Sequence, residues 1–206
     1  MVEGPKVACM KFLVVYAHPV PSSFTAAVFD TVKQALTDAG HEIRVTDLYE
    51  EEFQPVLSRA DREAYLENTP QLIEQVQDHV DNLKWADGLV FVFPTWYFGP
   101  PAILKGWFER VWLPGVTFEV AKRKGDTTSS CIRHIKRLAV ITSSGSPAWW
   151  MFVVGNPCKR FFLRCMRALF DFRCKTVWMQ LYDMNVVDDA ARKKFLAKVE
   201  ARMLKL

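Results

Sequence analysis

Residues 89–112 constrain this chain more than any other stretch, reading as an apolar strand, an aromatic turn and then a helix. Leu89, Val90, Phe91, Val92 and Phe93 form an unbroken hydrophobic run between Asp87-Gly88 and Pro94. That length, with its β-branched and aromatic content, predicts a strand buried on both faces of a parallel sheet. Pro94-Thr95-Trp96-Tyr97-Phe98-Gly99-Pro100-Pro101 stops the strand and places three successive aromatics in the turn. Proline is tolerated in a first helical turn, so Pro101 opens a helix over 102–112. In an open α/β sheet, ligands sit at the carboxyl ends of strands. Exposed aromatics there call for a flat apolar partner, either a ring-shaped ligand or another subunit.

The rest of the chain repeats the strand–helix alternation. Residues 11–16 (KFLVVY) predict the first strand, and Pro19 and Pro21 keep the next loop extended. Ser22 or Ser23 can cap a helix over 24–39, with Phe24, Val28, Val32 and Leu36 on one face and Gly40 ending it. Residues 41–48 alternate as the second strand, and helices are expected over 59–67 and 71–85. The basic connection 116–135 reads as a hairpin near Gly125. Residues 137–142 (RLAVIT) and 176–181 (TVWMQL) are the fourth and fifth strands, with a helix over 157–172 between them. A closing helix runs to Leu204 with Phe195, Val199 and Met203 inward. Five strands separated by helices predict an α/β doubly wound parallel sheet, order 2-1-3-4-5, with helices on both faces and a switch point between strands one and three.

At 206 residues the chain is expected to form a single domain over 10–206, preceded by a flexible N-terminal tail, 1–9. No apolar run approaches the ~20 residues a membrane span needs, and no signal peptide is visible, so a cytoplasmic protein is expected. The five cysteines form no CxxC, which argues for reduced thiols and against a zinc site. Residues 1–100 hold 7 basic and 15 acidic side chains (net −8), and the remainder holds 20 and 8 (net +12). Because the basic residues are scattered, this asymmetry reads as solvated faces and attraction for phosphate-bearing ligands, not as a nucleic-acid surface. The aromatic and basic stretch 148–174 suits a core and interface role, with membrane contact at most peripheral.

Two loops carry candidate chemistry beside the aromatic turn. His18, Ser22, Ser23, Phe24 and Thr25 surround a helix start, where free N–H groups and hydroxyls suit a phosphate; the serines also serve simply as caps. Ser143-Ser144-Gly145-Ser146-Pro147, after the strand that ends at Thr142, is a small-residue loop whose backbone N–H groups can reach a ligand.

These residues resemble the flavodoxin-like NAD(P)H:quinone oxidoreductases. That family carries HP, a few loop residues, then SF and a small polar residue, matched here by His18-Pro19-Val20-Pro21-Ser22-Ser23-Phe24-Thr25. It also carries FP, a short aromatic run and G-x-P-A-I-L-K-G-W, matched by Phe93 to Phe98 and then Gly99-Pro100-Pro101-Ala102-Ile103-Leu104-Lys105-Gly106-Trp107. Leu181-Tyr182-Asp183-Met184 is similar to shorter bacterial members. The resemblance implies a flavodoxin-like fold and a flavin, FAD or FMN, with its phosphates at His18, Ser22, Ser23, Phe24 and Thr25. The ring system would lie against Pro94, Thr95, Trp96, Tyr97 and Phe98, with Thr142, Ser143, Ser144 and Gly145 at its polar edge. Ser144 stands where the family usually has the first of two glycines. The eukaryotic enzymes place a tyrosine and a histidine of a proton relay shortly beyond; ungapped counting puts Trp150 and Asn156 there, leaving Tyr97 or solvent as proton donor.

The resemblance also implies ping-pong hydride transfer from NAD(P)H through flavin N5 to a quinone or similar planar acceptor, in a homodimer. A regulatory flavoprotein subunit docked on a membrane transporter is the alternative, motivated by 148–175. A one-electron flavodoxin carrier fits poorly, because such carriers are strongly acidic and this chain is +4.

Overall fold

A computed structural model describes residues 8–206; the tail expected over 1–9 lies outside the described residues as far as residue 7. The central sheet is assembled from β1 (Lys11–Tyr16), β2 (Glu42–Asp47), β3 (Gly88–Pro94), β6 (Arg137–Ser143) and β7 (Lys175–Leu181). Its order is β2-β1-β3-β6-β7, all parallel, which is 2-1-3-4-5 once the small antiparallel hairpin β4 (Phe118–Glu119) and β5 (Ser129–Ser130) is set aside. The doubly wound expectation is met.

Period-two alternation divides the sheet into two cores. Leu13, Val15, Leu89, Phe91, Phe93, Leu138 and Val140 point to one face, under α4 (Gln77–Trp85), α5 (Ala102–Val111) and the segment 157–170. Phe12, Val14, Tyr16, Val90, Val92, Ala139 and Ile141 point to the other, under α1 (Phe24–Asp38) and α8 (Asp189–Met203). Because β3 is buried on both faces along its whole length, its sequence shows no alternation. Gly106 in α5 has a packing reason. A Cβ there would sit 2.3 Å from the Pro55 carbonyl oxygen, so only glycine lets the helix seat against that loop.

Three local expectations change. The helix expected over 71–85 is two, α3 (Thr69–Glu74) and α4, because Val76 leaves helical angles (φ −132°, ψ 28°). Its inward set, Leu72, Val76, Val80 and Leu83, is nevertheless all buried. The helix expected over 157–172 is instead a short α7 (Pro157–Arg160), a π-helical turn Phe161–Met166 and a 3₁₀ turn Arg167–Leu169. The wider π turn brings Phe162 and Met166 inward together, with Phe170 beyond it. A further helix, α6 (Ala148–Val153), stands where no helix was expected. Short α2 (Arg59–Glu67) is as expected, closed by a capping box between Ser58 and Asp61. No helix among the described residues is long and apolar enough to cross a membrane.

Candidate functional site

The carboxyl ends of β1, β3, β6 and β7 surround a cleft of about 600 Å³. Three loops build it, each offering backbone N–H groups without an acceptor. Ser23 is the N-cap of α1, and its hydroxyl accepts from the Ala26 N–H. The N–H groups of Phe24 and Thr25, one turn too early for an intrahelical acceptor, meet no acceptor among the described residues at the positive end of a 15-residue helix. His18 stands above them. Its Nδ1 accepts the Val20 N–H at 3.0 Å, so Nε2 carries the proton, and burial pushes the imidazole below its ordinary value. At neutral pH it is an uncharged donor.

The aromatic turn after β3 is unusual. Tyr97 and Phe98 both adopt left-handed backbone (φ 47° and 64°), which for side chains of this size costs about 1–2 kcal/mol each. Reciprocal Trp96 and Gly99 N–H to carbonyl bonds at 3.0 Å hold the turn closed. The Tyr97 and Phe98 N–H groups meet no acceptor among the described residues. Trp96 is half-exposed and Tyr97 fully so. Beneath them the Thr95 N–H donates to the Ser143 carbonyl at 2.7 Å, and the buried Thr95 and Thr142 hydroxyls share a 2.8 Å hydrogen bond. Cys158 lies under this floor, its thiol pushed up to about 12 by burial and so protonated.

The third loop follows β6. The Ser144 N–H is consumed by the Leu181 carbonyl at 2.8 Å, whereas those of Gly145 and Ser146 meet no acceptor among the described residues. The chain after β7 clasps this loop: the Met184 N–H donates to the Ser144 carbonyl and the Asp183 N–H to the Ser146 carbonyl.

The His18 and Trp96 rings are 5.9 Å apart, so two loops 78 positions apart in sequence meet at one rim. Of the residues singled out in the sequence, His18, Ser23, Phe24, Thr25, Pro94, Thr95, Trp96, Tyr97, Phe98, Ser143, Ser144 and Gly145 line the cleft. Ser22 does not; it is an exposed turn residue, with Ser23 taking the cap. Thr142 lies one layer below the lining, bonded to Thr95. Trp150 and Asn156 also stand outside it. On α6 it is Met151 that turns inward, and a helical step of 100° carries Trp150 away. Ser146, Met151, Met184 and Asn185 line the cleft without having been singled out as site residues, although Met184 closes the Leu181-Tyr182-Asp183-Met184 match. Among the described residues no Lys or Arg lines the cleft, so these residues would hold an anion there by neutral donors and the helix end.

His18 shares its electrostatics with two distant histidines. The Nδ1 of His41 accepts from the Met10 N–H and that of His79 from the Trp107 indole, and burial, the largest cause, lowers both. Arg137 lowers His41 further, and Arg110 beside His79 opposes Asp78. Protonating any of the three breaks an accepted hydrogen bond. An unfolded histidine charges near 6.5 and these charge lower, so stability is complete above that pH and falls as acid is added below it. Glu51, raised by burial, works the other way, and its carboxylate lies 3.7 Å from His79 Nε2, so the drop rests chiefly on His18 and His41. The melting temperature is therefore expected to drop between about pH 6.5 and 5, and a flat profile there would contradict this reading.

A parallel sheet of this order, with its cleft at the β1/β3 switch point, defines a doubly wound α/β protein, a class whose ligands sit at the strand ends. A family profile described as the flavodoxin-like fold matches residues 10–204, and the chain belongs to that family. A ribosyldihydronicotinamide dehydrogenase-like protein of Penicillium crustosum is 34% identical over 156 residues, 66% of this chain and 58% of its own. NAD(P)H dehydrogenase [quinone] 1 of Cavia porcellus is 31% identical over 69% of this chain and 56% of its own. The chain thus spans a little over half the length of these two relatives. An NAD(P)H:quinone oxidoreductase structure from Methanothermobacter marburgensis superposes with a TM-score of 0.82 at 25% identity, covering 96% of this chain and 98% of the other.

Proposed function

We propose that this chain is a flavin-dependent NAD(P)H:quinone oxidoreductase. The observation that carries the reading is the convergence on one cleft of unpaired backbone N–H groups from three loops with an aromatic shelf. The names of the relatives point the same way. The residues fit FAD or FMN. Phe24 and Thr25 N–H groups and the Ser23 and Thr25 side chains suit its phosphate, Trp96 and Phe98 suit a ring face, and Gly145 and Ser146 suit the N1/O2 edge, where donors matter most when the ring is reduced.

Bound flavin supplies the site that takes hydride from NAD(P)H and passes it to the acceptor. The protein's own part is to orient, to exclude water and to place protons. Met184 and Trp96 offer apolar surface at the cleft for a planar nicotinamide or quinone, with Met151 buried beneath them. We read donor and acceptor as using this cleft in turn, the ping-pong order. His18 and Tyr97 are the lining groups that can exchange a proton. Because the Tyr97 phenol stands wholly in solvent, water can do its work. Tyr97→Phe is expected to retain turnover within about threefold, since a required general acid would cost 10²-fold or more. A hundredfold loss would put the phenol in the proton path.

The exposed faces of Trp149 (66%), Phe152 (78%) and Val153 (64%) on α6 are too apolar to leave in water, and we read them as the seat of a second copy. Light scattering is expected to give twice the chain mass for the wild type and monomer mass for Phe152→Glu; a wild-type monomer would contradict the homodimer. The activity itself is tested by following oxidation of NADH and of NADPH with a benzoquinone. Turnover that requires flavin supports the reading, and a flavin-loaded protein that oxidises neither overturns it.

A further inference from the structure

We infer that Gln180 is a positioning residue: through Ser144 it aims the Gly145 and Ser146 N–H groups into the cleft. The inference rests on the flavin reading above and concerns how the polar edge of that ligand is met.

The orientation of the Gln180 amide is fixed by chemistry. Trp178 Nε1 lies 3.2 Å from it, and an indole nitrogen can only donate, so the atom it meets is Oε1. Gln180 Nε2 is then the atom 3.0 Å from Ser144 Oγ and must donate to it. The serine proton, turned away from that donor, goes to the Ser146 carbonyl at 3.2 Å. Three hydrogen bonds thus run in one direction, from Trp178 through Gln180 and Ser144 to Ser146.

Every polar atom of Ser144 is used. Its N–H goes to the Leu181 carbonyl, its carbonyl accepts from Met184 and its hydroxyl sits in the relay. Ser144 is therefore a pivot for the loop and not a ligand donor. The next two N–H groups, of Gly145 and Ser146, meet no acceptor among the described residues and belong to residues that line the cleft. A glycine at 144, as in the family pattern this chain resembles, has no hydroxyl to fasten. The device belongs to chains with this pair of side chains.

Donors held at the polar edge of a flavin favour its reduced, more negative form over the oxidised one. Gln180→Met keeps the side-chain volume and removes two of the three relay bonds, those to Trp178 and to Ser144. It is expected to lower the ratio of reduced to oxidised flavin affinity about tenfold, which for a two-electron couple is a midpoint potential about 30 mV more negative. Ser144→Ala is expected to do the same, and the double variant no more than either alone, because the residues act as one unit. Potentials are measured on protein loaded with whichever of FAD and FMN the wild type retains.

A merely structural role would lower the melting temperature and both affinities together with the potential unmoved, and that result overturns the inference. So does a double variant whose shift is the sum of the singles. Should Gln180→Met fail to fold, Ser144→Ala decides by the same reading. A wild type that takes up no flavin overturns the functional proposal and this inference with it, whereas flavin uptake with an unmoved potential overturns this inference alone.

Discussion

Replacing Thr25 with glutamate is expected to abolish flavin uptake while leaving the chain folded. Thr25 is 6% exposed in the first turn of α1, and its N–H is one of the donors left for a phosphate. A carboxylate there faces the same positive helix end that the phosphate would use. The dipole favours a first-turn acid and so offsets part of the cost of a larger, charged side chain at this nearly buried position. Far-UV circular dichroism checks that the variant is folded. The ligand does not tolerate the carboxylate. Two like charges at one neutral-donor site, with no lysine or arginine among the lining residues to offset them, cost several kcal/mol. Affinity should fall at least about 100-fold by fluorescence titration, whereas Thr25→Val, which only removes a hydroxyl, should cost about tenfold or less. Unchanged binding by Thr25→Glu would place the phosphate elsewhere.

Phe162→Ala is expected to be the most destabilising single truncation in the layer under the cleft. The side chain is fully buried, with ring centres at 5.1 Å from Phe91, 5.2 Å from Phe93 and 5.6 Å from Phe108. Losing a buried phenyl ring costs about 3–5 kcal/mol, because a close-packed aromatic cluster cannot collapse onto the cavity. For a chain of this size that is a melting temperature lower by roughly 6–20 °C. Phe93 leads directly into Pro94 and Thr95, so the cavity also loosens the floor of the cleft. A loss below about 1 kcal/mol would mean that the π-helical segment closes over the gap.

The sheet was legible because its strands are short apolar runs bounded by breakers, and a strand buried on both faces, as β3 is, admits few alternatives. The two rims were legible because their residues are chemically unusual: a histidine and serines at a helix start, and three aromatics in a row. What the sequence hid was three-dimensional. Nothing local says that Val76 breaks its helix, since its hydrophobic spacing continues unbroken on either side. The π turn at Phe161–Met166 answers packing against Phe91, Phe93 and Phe108, partners more than 50 residues away. Met151 and Trp150 are adjacent in sequence, and only the phase of α6 chooses which of them faces the cleft. The helix lay outside the expected elements, so its phase was not available. Asn185 lines the site because β7 ends beside β6, so that the loop after one clasps the loop after the other.

The most direct measurement is a titration of purified chain, freed of any bound chromophore, with FAD and with FMN, followed by flavin absorbance and emission. One flavin per chain is expected to bind with its emission quenched against the Trp96 indole, and Trp96→Ala should relieve that quenching. A chain that leaves both flavins free and fully fluorescent at high micromolar concentration would contradict the cleft's assignment, and the oxidoreductase reading with it.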